Sequence, residues 1–203
     1  MQSGALQIVG CAVARVPERE AKLRVANVDL RMARWLILAL VSALLSGAAP
    51  SLEWAVKAEY LFKLVPFVDW PQDAFGSPSD TFHLCVVGLN PFGDLLDQVG
   101  QGQSQDQRPV SVLRLNAVGT GDHCQLMYVD GDPQFVAQSL AAVAGSPVLT
   151  VTDDQATAKG IVNFVLVQNR VRFEIDRAAA LRNHLNVSSK LLDLAVPPKP
   201  AAP

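Results

Sequence analysis

Histidine and cysteine are scarce in this chain, three of each among 203 residues. A metal centre drawing on both types would have to gather His83, Cys85, His123 and Cys124, and their spacing matches no closed zinc pattern. Neither a metal nor a cofactor is expected. Catalytic signatures are missing as well. There is no G-x-S-x-G, H-E-x-x-H, C-x-x-C or P-loop, and the carboxylates are scattered rather than paired. Asp153 and Asp154 stand together but are read as a cap for the short segment after a strand. The expectation is a protein without enzymatic activity.

Long apolar runs are also lacking. The main one, WLILALVSALL over Trp35–Leu45, falls well short of the roughly 20 residues needed to span a bilayer as a helix. It follows Arg31 and Arg34 and leads into SGAAP, the pattern of a basic n-region, an apolar core and a small-residue cleavage site. Residues 1–49 are therefore expected to be an N-terminal extension and a cleaved signal peptide, with Met32 as an alternative start. The mature chain would begin near Ala49 or Pro50, outside the cytoplasm, with no insertion into the membrane after cleavage. Cys11 would leave with the leader.

Positive charge is the next shortage. From Pro50 onward eleven Lys and Arg face sixteen Asp and Glu, a net charge of −5, and no basic run occurs. Such a surface argues against nucleic acid and anionic lipid as main partners. A protein or a small molecule fits better.

What is present is α/β patterning. Leu52–Val65 is apolar on most faces and reads as a helix that Pro66 ends or kinks. FHLCVVG (Phe82–Gly88) is a near-continuous apolar run that breaks at Gly88–Gly93 and resumes with helical spacing to about Val99, a strand turning into a helix. Asn90 is placed to cap that helix, and Pro91 suits its first position. After a polar loop at Gly100–Arg108, strands are expected at Val110–Leu115 and Cys124–Val129. A helix capped by Asp132 should run from Pro133 to Ala144 and stop at Gly145, followed by a strand over Val148–Val151. Ile161–Ile175 reads as two β-rich runs joined through Gln168 and Asn169, a hairpin. Helices follow at Ala178–Leu185, which would carry His184, and from Ser188 or Ser189 to Ala195. The order implies a single α/β domain over residues 50–196, a mostly parallel mixed sheet flanked by helices with an antiparallel C-terminal hairpin. PPKPAAP (197–203) reads as a disordered tail.

Three features carry candidate chemistry. Cys85 and Cys124 are the two cysteines of the mature chain, and in an oxidising compartment each has only the other to pair with inside one molecule. The bond would act as a staple or as a redox switch. Tyr60, Phe62, Phe67 and Trp70 concentrate aromatic surface in one stretch, serving either as core or as a partner-binding patch. Gly88, Asn90 and Gly93 frame a turn that is either a plain capped turn or an anion site made by free helix amides.

Taken in order, AEYLFKLVPFVDWP, FHLCVVGLNPFG, HCQLMYV, PVLTVTD, the strand around Ile161, RVRFEID and LNVSSKLLDLA resemble the YfiR-like periplasmic family over about Glu53–Val196. The resemblance implies an exported α/β protein that binds the periplasmic part of an inner-membrane signalling protein, such as a diguanylate cyclase, and represses it. Cys85 and Cys124 match the family's cysteine pair. Four departures stand out: His123-Cys124 in place of Cys-His, Lys159-Gly160 in place of a double glycine, Asp176 in place of the Asn of FEIN, and Pro66 within a stretch that is ordinarily continuous. The reading is a periplasmic regulator, expected to be a homodimer and responsive to a redox or envelope signal. The alternative is a small periplasmic solute-binding module.

Overall fold

The computed structural model describes residues 51–77, 79–119, 121–154 and 156–198. The leader, its cleavage site and the tail beyond residue 198 lie outside them. Helix α1 (Leu52–Leu64) starts at Ser51, whose hydroxyl accepts the Trp54 amide, and Pro66 turns its end into a 3-10 segment, Val65–Phe67. The chain then makes β1 (Val68–Asp69), β2 (Phe82–Gly88), α2 (Leu95–Gly100), β3 (Ser104–Gln105), β4 (Arg108–Leu115), β5 (Leu126–Asp130), α3 (Pro133–Ala142), β6 (Leu149–Asp153), β7 (Val162–Val167), β8 (Arg170–Ile175), α4 (Arg177–Arg182), β9 (Asn186–Val187) and α5 (Ser189–Leu194).

Seven strands form one sheet in the order β3-β4-β2-β5-β6-β7-β8. The five central strands β4, β2, β5, β6 and β7 are parallel, with β3 antiparallel at one edge and β8 at the other. β1 and β9 form a separate antiparallel pair. The fold is the expected mixed α/β sheet with a C-terminal hairpin. Continuous apolar runs make the central strands because both faces of the sheet are covered. On one face Leu84, Val86, Leu126 and Tyr128 pack with α1, α4 and α5; on the other Cys85, Val87, Met127 and Val129 pack against Val136 and Val143 at α3. Each large side chain so buried contributes about 1.5–3 kcal/mol of transfer free energy.

The hairpin turns where expected, with Gln168 (φ 49°) and Asn169 (φ 59°) both left-handed. Two-residue β-turns of the primed type need that geometry to match the strand twist. Asp132 and Ser188 cap α3 and α5 through their side-chain oxygens.

Several boundaries differ from expectation. The helix expected from Pro91 begins only at Leu95. Asn90 Oδ1 accepts the Phe92 amide at 3.2 Å, and Gly93 takes φ +54°, so four residues form a turn before the helix. The helix expected to reach Leu185 ends at Arg182, because His184 is left-handed (φ 57°) and the Leu185 amide reaches back to the Ala180 carbonyl at 2.9 Å. His184 is exposed in that turn rather than on a helix. α3 stops at Ala142 rather than Ala144, and Gly145 (φ +76°) completes the turn away from it. The loop after α2 holds β3, which pairs with Arg108 and Pro109, and β9 was not foreseen. Among the described residues no helix is long and apolar enough to cross a membrane.

Candidate functional site

Helical phase separates the two clustered aromatics that lie on α1. Residues two apart on a helix point about 200° apart, so Tyr60 and Phe62 leave α1 on opposite sides. Phe62 is only 8 % exposed and packs where a side chain on Gly100 would otherwise fit. Trp70 lies edge-on to Phe82 with centroids 5.2 Å apart and donates its indole N–H to the Gln125 carbonyl at 3.2 Å. Phe62 belongs to the core, and the half-buried Trp70 packs against it.

Tyr60 and Phe67 are half-buried and share one groove. Tyr60 rests between Phe164 and Phe173, with centroids 6.3 and 6.0 Å away. Lys63 and Leu64 from the end of α1, Pro66 from the 3-10 segment, and Leu191 and Leu194 from α5 complete a cleft of about 420 Å³ whose exposed lining is apolar, the Lys63 ammonium being paired with Glu59. The Phe67 carbonyl accepts the Ser188 amide at 2.9 Å, which fixes α5 beside α1 and holds the cleft open. Leu194 stands on its rim, 64 % exposed.

Cys85 and Cys124 are joined by a disulfide, with Cα atoms 5.8 Å apart and a sequence separation of 39. Cys85 is fully buried in the middle of β2, and Cys124 lies at the entry to β5 with 7 % exposure. Cys124 also borders a second pocket, of about 300 Å³, with Asp73, Asp122, His123, Gln125 and Ser146 among its lining residues. Gln125 holds this end of the sheet together: its side chain accepts the His83 amide at 2.7 Å and donates to the Ala74 carbonyl at 2.9 Å.

The Gly88–Gly93 turn is built for close backbone approach. A side chain on Gly88 (φ +86°) would collide with the Asp130 carbonyl and lie 2.5 Å from Phe135. Two of the turn's amides are already used, Leu89 by the Asp130 carbonyl at 2.9 Å and Phe92 by Asn90. The Gly93 carbonyl accepts Arg114 Nη2 at 2.9 Å, and the same arginine pairs with Asp97 at 2.5 Å. These contacts tie the turn to β5 and β4 and set the Asp97 carboxylate beside it.

A charged cluster beside this turn went unnoticed in the sequence. Lys57, on α1, is 1 % exposed and pairs with Glu53 one turn earlier and with Asp153 Oδ2 at 2.5 Å, at the end of β6. Its ammonium also sits 4.3 Å from the Trp54 ring centroid. Burial, and then the Asp153, Asp130 and Glu53 carboxylates, push the phenol of fully buried Tyr128 far above its ordinary pKa. Burial also raises Asp130, aided by Asp153 and opposed by the Gly131 amide and Lys57. The arrangement is an ion-paired latch between α1 and the carboxyl ends of the strands. The sequence signal was a lysine four residues after a glutamate, a spacing that Glu59 and Lys63 repeat on the same helix.

Two departures from the family pattern have local explanations. Lys159 pairs with Glu174 at 2.8 Å, while the neighbouring Gly160 must stay glycine because a Cβ would fall 2.7 Å from the Thr150 carbonyl oxygen. Asp176 caps α4 by accepting the Ala179 amide at 2.8 Å, work that asparagine performs as well.

A disulfide-stapled α/β domain with an open apolar cleft has the build of a binding protein. The chain belongs to the YfiR/HmsC-like family, whose model matches residues 54–196. That family is one of periplasmic, non-enzymatic regulators in cyclic-di-GMP signalling that work with a membrane signalling partner. No curated protein matches this sequence.

Proposed function

We propose that this protein binds the periplasmic part of an inner-membrane signalling protein of the diguanylate cyclase type and represses it, and that the cleft between α1 and α5 is its docking surface. The observation carrying this reading is the cleft of about 420 Å³ that exposes apolar surface between α1 and α5. Uncovered apolar surface costs about 25 cal/mol per Å², and contiguous patches of it on soluble domains mark interaction sites. Tyr60, Phe67 and Leu194 are its anchors, whereas Phe62 in the core and Trp70 packed against the core lie outside it. The Cys85–Cys124 bond makes the repressor redox-responsive in this reading, reduction loosening β2 from the entry to β5 and releasing the partner. The working state is a homodimer.

Binding of the purified protein to the isolated periplasmic part of a candidate cyclase tests the docking surface. Leu194→Asp places a charge on the rim at an exposed position, so it should weaken binding more than tenfold and leave the melting temperature unchanged. Undiminished binding by this variant would remove the cleft from the account.

A second reading, a small-solute site, is supported by the pocket of about 300 Å³ beside Cys124, within the size range of small-molecule sites. Native mass spectrometry of gently purified protein tests it through a bound small molecule that is lost when Ser146 is replaced by Trp.

A further inference from the structure

The cleft does not stop at Tyr60. A second groove of about 420 Å³ begins on the other side of that ring, lined by Leu52, Glu53, Val56 and Tyr60 of α1 and by the β7–β8 hairpin. Leu52, Val56, Tyr60 and Leu64 follow one another at four-residue spacing, so the two grooves share one stripe of α1. Twelve residues at 1.5 Å rise give that stripe a length of about 18 Å, enough for roughly three turns of a bound helix.

The two ends of this trough differ in chemistry. The α5 end exposes apolar surface, and its one charged lining residue, Lys63, is paired with Glu59 at 3.1 Å. The hairpin end has exposed Leu166 and Leu52 beside Arg170 and Arg172. Neither guanidinium has an ion pair or hydrogen bond with any described residue, which among the other cations holds for Arg177 and Lys190, whereas Lys57, Lys63, Arg114, Lys159 and Arg182 are paired. Glu53, the one carboxylate on this wall, is held by Lys57. Two unpaired arginines on a domain carrying a net charge of −5 form a local positive site, and guanidinium suits carboxylates because it binds them in a two-pronged fashion.

We infer that the occupant of the trough is an acidic amphipathic segment of the partner protein, apolar along the α1 stripe and bearing carboxylates at the end that meets Arg170 and Arg172. This inference rests on the reading of the α1–α5 cleft as the docking surface and adds the partner's charge and orientation to it. The arginines select the partner and set its direction, while Tyr60 and the leucines supply the apolar contact.

The test uses three synthetic helical peptides of about fourteen residues, each with leucines at four-residue spacing and with two Glu, two Gln or two Lys at one end. The Glu peptide should bind at least tenfold more tightly than the Lys peptide, and its affinity should fall with salt. Arg170→Gln/Arg172→Gln should abolish that preference; both side chains are exposed and unpaired, so the melting temperature should not move. Equal binding of the three peptides, lost in Leu194→Asp, would overturn the charge assignment and leave the cleft reading standing. No peptide binding, with a homodimer that Leu194→Asp disperses, would make a second copy the occupant. No peptide binding, with arginine-dependent binding to phosphatidylglycerol vesicles, would make it a bilayer. Either of the last two results overturns the inference.

Discussion

Lys57 is the residue on which the local electrostatics turn. Taking an ammonium out of water is unfavourable unless its partners come with it, and here they come from its own helix and from a strand end 96 residues away. Replacing Lys57 by Met should cost about 3 kcal/mol, towards the lower end for a broken buried pair because Glu53 keeps contact with water. Adding Asp153→Asn should recover part of that loss, a coupling that urea melts of the single and double variants would measure. Asp130 gives a pH signature. Its folded pKa is raised above the unfolded value of about 3.9, so the stability it contributes is present below that value and is lost as pH rises through the folded one. Asp130→Asn should therefore raise the melting temperature at neutral pH and lose that advantage as the pH falls towards about 4. An advantage of constant size across that range would remove the half-buried Asp130 carboxylate from the account. Neither residue's role was legible in the chain, since Asp153 and Asp130 approach Lys57 only after the sheet has formed.

At the scale of elements, long apolar strands and the hairpin were legible because their pattern and turn chemistry are local. The β7–β8 turn needs two left-handed residues, and Gln168-Asn169 between two β-rich runs announces it. β3 and β9 were not legible, since two-residue strands have no period and exist only through their partners. Of the four aromatics, Tyr60 and Phe67 reach the cleft and Phe62 and Trp70 do not. A helix apolar nearly all round does not reveal its buried phase, so sequence alone could not divide them. The disulfide joins two elements that the chain had already marked, β2 and the entry to β5. Replacing Cys85 and Cys124 by Ala should cost about 2–5 kcal/mol. Denaturant midpoints of oxidised, reduced and Ala-substituted protein check this, and reduced and substituted forms should coincide.

The described residues form a disulfide-stapled α/β sheet with two grooves along α1, an apolar one beside α5 and a mixed one beside the edge hairpin. In the proposed function these parts divide the work: the sheet holds α1 in place, the trough presents it, and the bond between β2 and the β5 entry answers to reductant. Repression of a membrane cyclase through that trough is the central claim, and cellular cyclic-di-GMP reads it most directly. A strain lacking this protein should show a raised level, wild-type protein should restore it, and Leu194→Asp, folded and present in equal amount, should leave it raised. Full restoration by Leu194→Asp, or an unchanged level in the strain lacking the protein, would contradict the account.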